Sequence, residues 1–253
     1  MKDLSGSDLI GVSKFYKETN RFSARDFEDS LSKKFINKNG SIKQKYSKKH
    51  SKCPVCNNST DQSILAFNKK GYNHWHCKSC ESLYTNPTVK DKVIINQVYG
   101  NTPYPFLDSV NSPTQLDFDR KRFSKSLTIL KKDGMEFNKN TVFDFGSGSG
   151  TFLNVCRDFG FEKLLGNDVL SSAVSMANDK YNLSEVLLKD GLQDFDRITS
   201  NIGLISMWEF LDHINEPYLF LQKLIQKAHE GTYFIVSVRN SDSIAAKILQ
   251  EKC

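Results

Sequence analysis

Val142-Phe143-Asp144-Phe145-Gly146-Ser147-Gly148-Ser149-Gly150 is the stretch on which the reading of this chain turns. A short apolar run, 141–145, reads as a buried strand, and 151–159 reads as a helix. Three glycines at alternating positions lie between them, with an acid two places before the first. Glycine permits positive φ and lets a ligand approach the backbone. The helix that follows directs free N–H groups and the positive end of its dipole at whatever sits on the turn. A dinucleotide turn favours G-x-G-x-x-G; here the spacing is G-x-G-x-G. Strand, glycine turn and helix in that order make a nucleotide-type cradle.

Downstream the pattern alternates. Apolar runs at 163–166, 185–188, 202–208 and 233–238 are separated by helical spacing at 171–181 and 217–229. Alternating strands and helices predict an α/β fold with a parallel sheet. Asp168 falls about twenty residues after the glycine turn, at the end of the second strand. An acid there accepts hydrogen bonds from ribose hydroxyls; it is also placed to cap the next helix. The third strand leads into Lys189-Asp190-Gly191-Leu192, which reads equally as a plain turn. The fourth runs into Met207-Trp208-Glu209-Phe210-Leu211-Asp212-His213-Ile214, with Pro217 opening the next helix.

Taken in order, these segments resemble class I S-adenosylmethionine-dependent methyltransferases over roughly residues 141–240. The resemblance implies a Rossmann-like core that binds S-adenosylmethionine. It assigns Asp144, Gly146, Ser147, Gly148 and Gly150 to the cradle, Asp168 to the ribose, Asp190 and Gly191 to the adenine, and Val169 to the cofactor site. Trp208 is placed near the methyl group. Glu209 and His213 are the candidate catalytic residues, since imidazole titrates near neutral pH and suits a general base. In some quinone and small-RNA O-methyltransferases a similar acidic–histidine stretch holds a divalent cation; Glu209, Asp212 and His213 would be the counterparts. Tyr99 and Tyr104 are candidates for the acceptor pocket. The family sheet has strand order 3-2-1-4-5-7-6, of which five strands can be placed. The core therefore reads as C-terminally truncated. Otherwise a partner protein, a second copy or the N-terminal segment covers the open edge left by strand five. Residues 241–251 read as a helix.

Upstream, Cys53-Pro54-Val55-Cys56 and Cys77-Lys78-Ser79-Cys80 are separated by 20 residues. Two Cys-x-x-Cys knuckles offer four thiolates to one tetrahedral zinc ion. So few apolar side chains cannot hold a 34-residue unit together, and metal supplies its folding free energy. Iron and a redox dithiol are weaker alternatives. A closed four-cysteine site has no open coordination position, so the zinc is expected to be structural. The unit, with Leu83-Tyr84-Thr85-Asn86-Pro87 after it, resembles the zinc ribbon ahead of some bacterial methyltransferase cores. Several of those act on sugars or other small metabolites. Four segments follow: a basic polar arm at 1–52, the ribbon at 53–87, a linker and helical lid at 88–140, and the donor-binding core at 141–253. Within the first, 23–35 fits an amphipathic helix; within the third, 114–132 fits a helix.

The net charge is +6, but it sits in one place. Residues 1–52 carry 13 Lys and Arg against 6 Asp and Glu; the remainder is close to neutral, at −1. A neutral core argues against a nucleic-acid groove across it. The expected activity is methyl transfer to a small molecule such as a sugar or surface-polysaccharide precursor. Two alternatives stand beside it: an RNA methyltransferase that captures substrate with ribbon and arm, and a non-catalytic scaffold. No run of about 18 apolar residues predicts a membrane span. With no export signal at Met1-Lys2-Asp3-Leu4, a cytoplasmic location is expected.

Overall fold

The computed structural model describes residues 12–100, 105–137, 140–198 and 202–243. Every residue of β6 (Thr141–Phe145) is buried. A strand buried on both faces belongs at the centre of a parallel sheet, and β6 is the middle of five. In chain order the strands are β6, β7 (Lys163–Asp168), β8 (Val186–Leu188), β9 (Ile202–Trp208) and β10 (Tyr233–Ser237). Their spatial order is β10-β9-β6-β7-β8, all pairs parallel. From β6 the chain steps outward to β7 and β8, then returns to the other side of β6 as β9. That reversal opens a crevice at the carboxyl ends of β6 and β9.

Alternate side chains divide between two cores. Val142 and Leu204 join Phe123 and Leu127 of α5 (Pro113–Lys132), Phe152, Leu153 and Val155 of α6 (Thr151–Asp158), and Ala177 and Tyr181 of α7 (Ser171–Tyr181). Phe143, Phe145, Ile205 and Met207 pack on the other face with Phe220 and Leu224 of α8 (Pro217–Lys227). Among the described residues β10 is bonded only to β9, and Phe234, Val236 and Val238 are exposed.

Several boundaries move by one or two residues. β7 runs on to Asp168, whose backbone is in register with Leu188, so the acid is the last residue of its strand. β8 begins at Val186 and β10 stops at Ser237. α8 stops at Lys227 because Ala228 turns extended, with ψ at 144°. The helix expected at 241–251 lies outside the described residues beyond a turn at 241–243, and Tyr104 lies outside them too.

The cysteine unit is a three-stranded antiparallel sheet of β2 (Ser63–Lys69), β3 (Tyr72–Cys77) and β4 (Leu83–Thr85). A further pair, β1 (Ser47–Lys48) and β5 (Thr88–Val89), joins the segments before and after it. Part of the basic segment is folded. α1 (Val12–Glu18) is followed by α2 (Arg21–Phe35), and Phe35 and Ile42 are buried against Val89 and Val98. Val89 and Val98 come from beyond the ribbon. Apolar residues at i and i+4, Leu31 and Phe35, make the stripe that closes this small core. After β5 come α3 (Asp91–Ile94), a π-turn at Ile95–Tyr99, and α4 (Pro105–Val110). No helix among the described residues is long and apolar enough to cross a membrane.

Candidate functional site

A cavity of about 830 Å³ opens at the carboxyl ends of β6, β7 and β9. Its floor is the glycine turn. Gly148, at φ +53°, has open space where a Cβ would point. Gly150, at φ +79°, is required for a different reason: a Cβ there would lie 2.4 Å from Leu183 Cδ1. Its lack of a side chain lets α6 start against α7.

Asp168 ties the turn to the second strand. Its Oδ2 accepts from Gly148 N at 2.9 Å and its Oδ1 from Leu170 N at 2.8 Å. Leu170 is the cap residue of α7, so the acid lines the cavity and holds the helix start as well. Burial raises its pKa; the N–H groups of Leu170, Gly148 and Val169 offset part of that rise. Each oxygen keeps lone-pair capacity for a further donor.

Asp144 lies deeper, 2% exposed, and accepts from Ser206 Oγ at 2.7 Å. Burial pushes its pKa up to about 8; the Ser206 hydroxyl works against that rise and the charge of Asp168 adds to it. Ser147 Oγ and its backbone N both donate to Asn167 O, at 3.2 and 2.9 Å. Asp190 Oδ1 accepts from Leu192 N at 2.9 Å, capping a 3-10 turn at Gly191–Gln193. Val169, Asp190, Gly191 and Trp208 all line the cavity.

Two residues that sequence reasoning passed over hold the turn from behind. Asn167 Oδ1 accepts from Gly146 N at 3.2 Å, and its Nδ2 donates to Asp194 Oδ2 at 3.0 Å. Asp194 is fully buried, and its charge is met by Lys189 at 2.6 Å and Arg197 at 3.4 Å. A buried acid held this way fixes the orientation of the Asn167 amide. Nothing in the local sequence around Asp194 distinguishes it from a surface acid.

Beyond the donor end the cavity continues under α5. Arg122 bridges Asp119 and Glu209, each at 2.9 Å, and lies 5.3 Å from the centre of the Trp208 ring. Trp208 packs on Phe123 and Phe152, and its Nε1 is buried with no hydrogen-bond partner among the described residues. Glu209 has φ +54°, and its backbone N donates to Ser237 O at 2.9 Å. Its exposed carboxylate is therefore aimed at Arg122. Asp212 pairs with Arg239 at 3.4 Å. Both acids are paired with arginines, and Glu209, Asp212 and His213 are not gathered into a group of potential metal ligands among the described residues. His213 is exposed, lines the cavity, and uses its backbone N to bond Phe210 O at 3.0 Å. Its imidazole makes no hydrogen bond among the described residues.

Cys53, Cys56, Cys77 and Cys80 are the one group of potential metal ligands among the described residues, with all four Sγ atoms within 4.8 Å of one another. Two of the separations are 3.9 Å (Cys53 to Cys80) and 3.7 Å (Cys56 to Cys77). A tetrahedral zinc site with Zn–S near 2.3 Å needs sulfur–sulfur edges of about 3.8 Å, so the cluster fits that ion. The knuckles are built alike. Asn57 and Glu81, at φ +63° and +61°, send N–H bonds back to Cys53 O and Cys77 O. Burial works against a thiolate at Cys77, but the N–H groups of Cys80 and Ser79, together with the Cys80 and Cys56 thiols, outweigh it and hold its pKa at about 6.

The parallel sheet in the order β10-β9-β6-β7-β8, with a glycine turn after its middle strand and an acid ending the next, defines a class I S-adenosylmethionine-dependent methyltransferase fold. Residues 118–252 match the family model of the methyltransferase domain, and the chain belongs to that family. A ribosomal protein L11 methyltransferase of Lactobacillus johnsonii (strain CNCM I-12250 / La1 / NCC 533) is 27% identical over 135 residues, 45% of this chain and 42% of that protein. The chain thus spans less than half the length of that curated relative. Among solved structures, the plantazolicin methyltransferase BpumL in complex with SAH superposes with a TM-score of 0.51 at 17% identity, over 64% of this chain and 65% of that one. That likeness is one of fold.

Proposed function

We propose that the chain transfers a methyl group from S-adenosylmethionine to a small-molecule acceptor, such as a sugar or surface-polysaccharide precursor. The observation that carries this reading is the two-part cavity. Its volume of about 830 Å³ lies near the upper end for small-molecule sites, enough for donor and acceptor side by side. The donor end is the turn from Gly146 to Gly150 with Asp168 beside it. The acceptor end is walled by α5, with Phe118, Arg122 and Trp208.

In this reading Asp168 accepts from the ribose hydroxyls, Asp190 and Gly191 flank the adenine with Val169, and Ser147 shapes the turn. Trp208 closes the wall behind the methyl group. The donor supplies an electrophilic methyl with its own leaving group, so the protein's task is alignment and exclusion of water. His213 takes the proton an acceptor hydroxyl loses. Glu209, held by Arg122, orients the acceptor. Residues 53–87 are the zinc unit and 141–253 the donor-binding core. The exposed strip on β10 is the surface a partner protein or second copy would cover, and the cytoplasm is the expected location.

Titration calorimetry with S-adenosylmethionine tests the core of this. One site per chain is expected; no heat at millimolar ligand, with the protein shown to be folded, removes the enzyme reading. RNA binding that weakens steeply with salt would instead favour a nucleic-acid acceptor.

A further inference from the structure

We propose that Asn215 is a positioning residue, through which the strand and helix that follow the zinc-binding ribbon hold the loop that carries His213. The proposal rests on the reading of His213 given above, but the contacts behind it are independent of that reading.

Three residues between 215 and 218 reach back into the segment 48–91, and none of these contacts is to the methyltransferase core. Asn215 makes two bonds: its backbone N donates to Asp91 Oδ1 at 3.1 Å, and its side-chain Nδ2 donates to Val89 O at 2.8 Å. Glu216 pairs with Lys48 at 3.0 Å. Tyr218 N donates to Pro54 O at 3.1 Å. These partners are separated from the loop by more than 120 residues of sequence; Pro54 lies in the ribbon, and Lys48, Val89 and Asp91 flank it in the chain.

The last contact leads to the metal cluster. Pro217 opens α8, so Tyr218 N is one of the first-turn N–H groups a helix cannot satisfy itself. Pro54 O satisfies it, and Pro54 lies between the ligands Cys53 and Cys56. An ion that fixes those two thiolates fixes the carbonyl on which α8 begins. At the opposite end of the loop His213 N bonds Phe210 O at 3.0 Å and Asp212 pairs with Arg239. Between the two lies a second cavity of about 450 Å³, lined by Pro54, Asp91, His213 and Asn215. Without the clamp the loop has room to move into it. Asn215 does not line the donor cavity. Its effect on the site is exerted through the backbone of its neighbour two residues away.

The test uses the full chain, zinc-loaded and labelled with ¹⁵N-histidine, with imidazole signals read by NMR. The chain has five histidines, and the His213→Gln variant assigns the signal in question. Asn215→Ala is expected to shift or broaden the His213 signal and leave His229 unmoved, with zinc content unchanged and S-adenosylmethionine affinity within about twofold of the parent. Asp91→Ala is expected to move the His213 signal the same way. Asp91→Asn, which keeps an oxygen for the Asn215 N–H, is expected to leave it in place; this pair keeps the test open if Asn215→Ala does not fold. Removing the zinc with a chelator is expected to shift the same signal in the same direction. A His213 signal unmoved by Asn215→Ala or Asp91→Ala in folded protein overturns the proposal. Failure of the parent to bind S-adenosylmethionine would overturn the functional reading and leave the histidine signals to report on the clamp.

Discussion

Replacing Asp144 by Asn tests the electrostatics of the donor site in one measurement. Asp144 is buried, and its pKa is pushed up to about 8. In the unfolded chain the same carboxyl titrates near the ordinary aspartate value of 3.8. Between those values the folded protein keeps the proton and the unfolded chain loses it. Stability from this residue is therefore fully present below about pH 4 and is lost as the pH rises towards 8. Each pH unit is worth about 1.36 kcal/mol, so pH 5 to 8 spans up to about 4 kcal/mol. Asn is the neutral isostere; its Oδ1 still accepts from Ser206 Oγ, and it does not titrate. The assay is urea unfolding of the zinc-loaded parent and of Asp144→Asn at pH 5, 6, 7 and 8. The parent is expected to lose at least about 2 kcal/mol relative to the variant across that interval. A difference that stays flat within about 0.5 kcal/mol would show that the carboxyl is ionised throughout, and the argument from burial would fail. The same proton provides a second check. A bound sulfonium cation favours the carboxylate, so donor binding at pH 7 should release a proton. The calorimetric heat should then depend on the buffer's enthalpy of ionisation.

Asp168→Ala is expected to weaken S-adenosylmethionine binding by roughly 1–3 kcal/mol, the cost of leaving buried polar groups unpaired, read by titration calorimetry; unchanged affinity would assign the ribose to another acid. Gly150→Ala places a methyl group 2.4 Å from Leu183 Cδ1 at φ +79°. A loss of about 1–3 kcal/mol in urea unfolding is expected, and a neutral result would mean that α6 and α7 separate freely. Elemental analysis should find one zinc per chain. Chelation should also change the fluorescence of Trp75, whose Nε1 bonds Asn86 O at 2.9 Å and whose ring packs on the cysteines. Less than half a zinc per chain would overturn the metal assignment.

What could be read from the sequence was what the backbone itself demands. The glycines at 146, 148 and 150 all adopt positive φ, and residue type alone announces that. The run 141–145 is buried throughout, and the acid at 168 ends its strand. Cysteine spacing announced the knuckles because two pairs of ligands must each turn within four residues. The small core around Phe35 and Ile42 was not legible as such, since its partners Val89 and Val98 come from the far side of the ribbon. In the basic segment, lysines on the exposed faces dilute the apolar residues that close this core.

The residues that decide how the site is held belong to the second kind. Arg122 meets Glu209 across 87 positions, and Asn215 meets Asp91 across 124. No local pattern selects such pairs; packing does. The consequence for Glu209 is chemical. Read locally, an acid beside a strand end and a histidine is a base or a metal ligand. Its left-handed backbone aims it at an arginine that rests on Trp208, so its carboxylate is engaged in an ion pair. In the proposed reading the proton goes to His213, whose imidazole makes no hydrogen bond among the described residues and whose loop is tied down from outside. A base has to be free at its ring and fixed at its backbone. His213 is proposed as the base because it fits both conditions, the second through the contacts of its loop with Val89, Asp91 and Pro54.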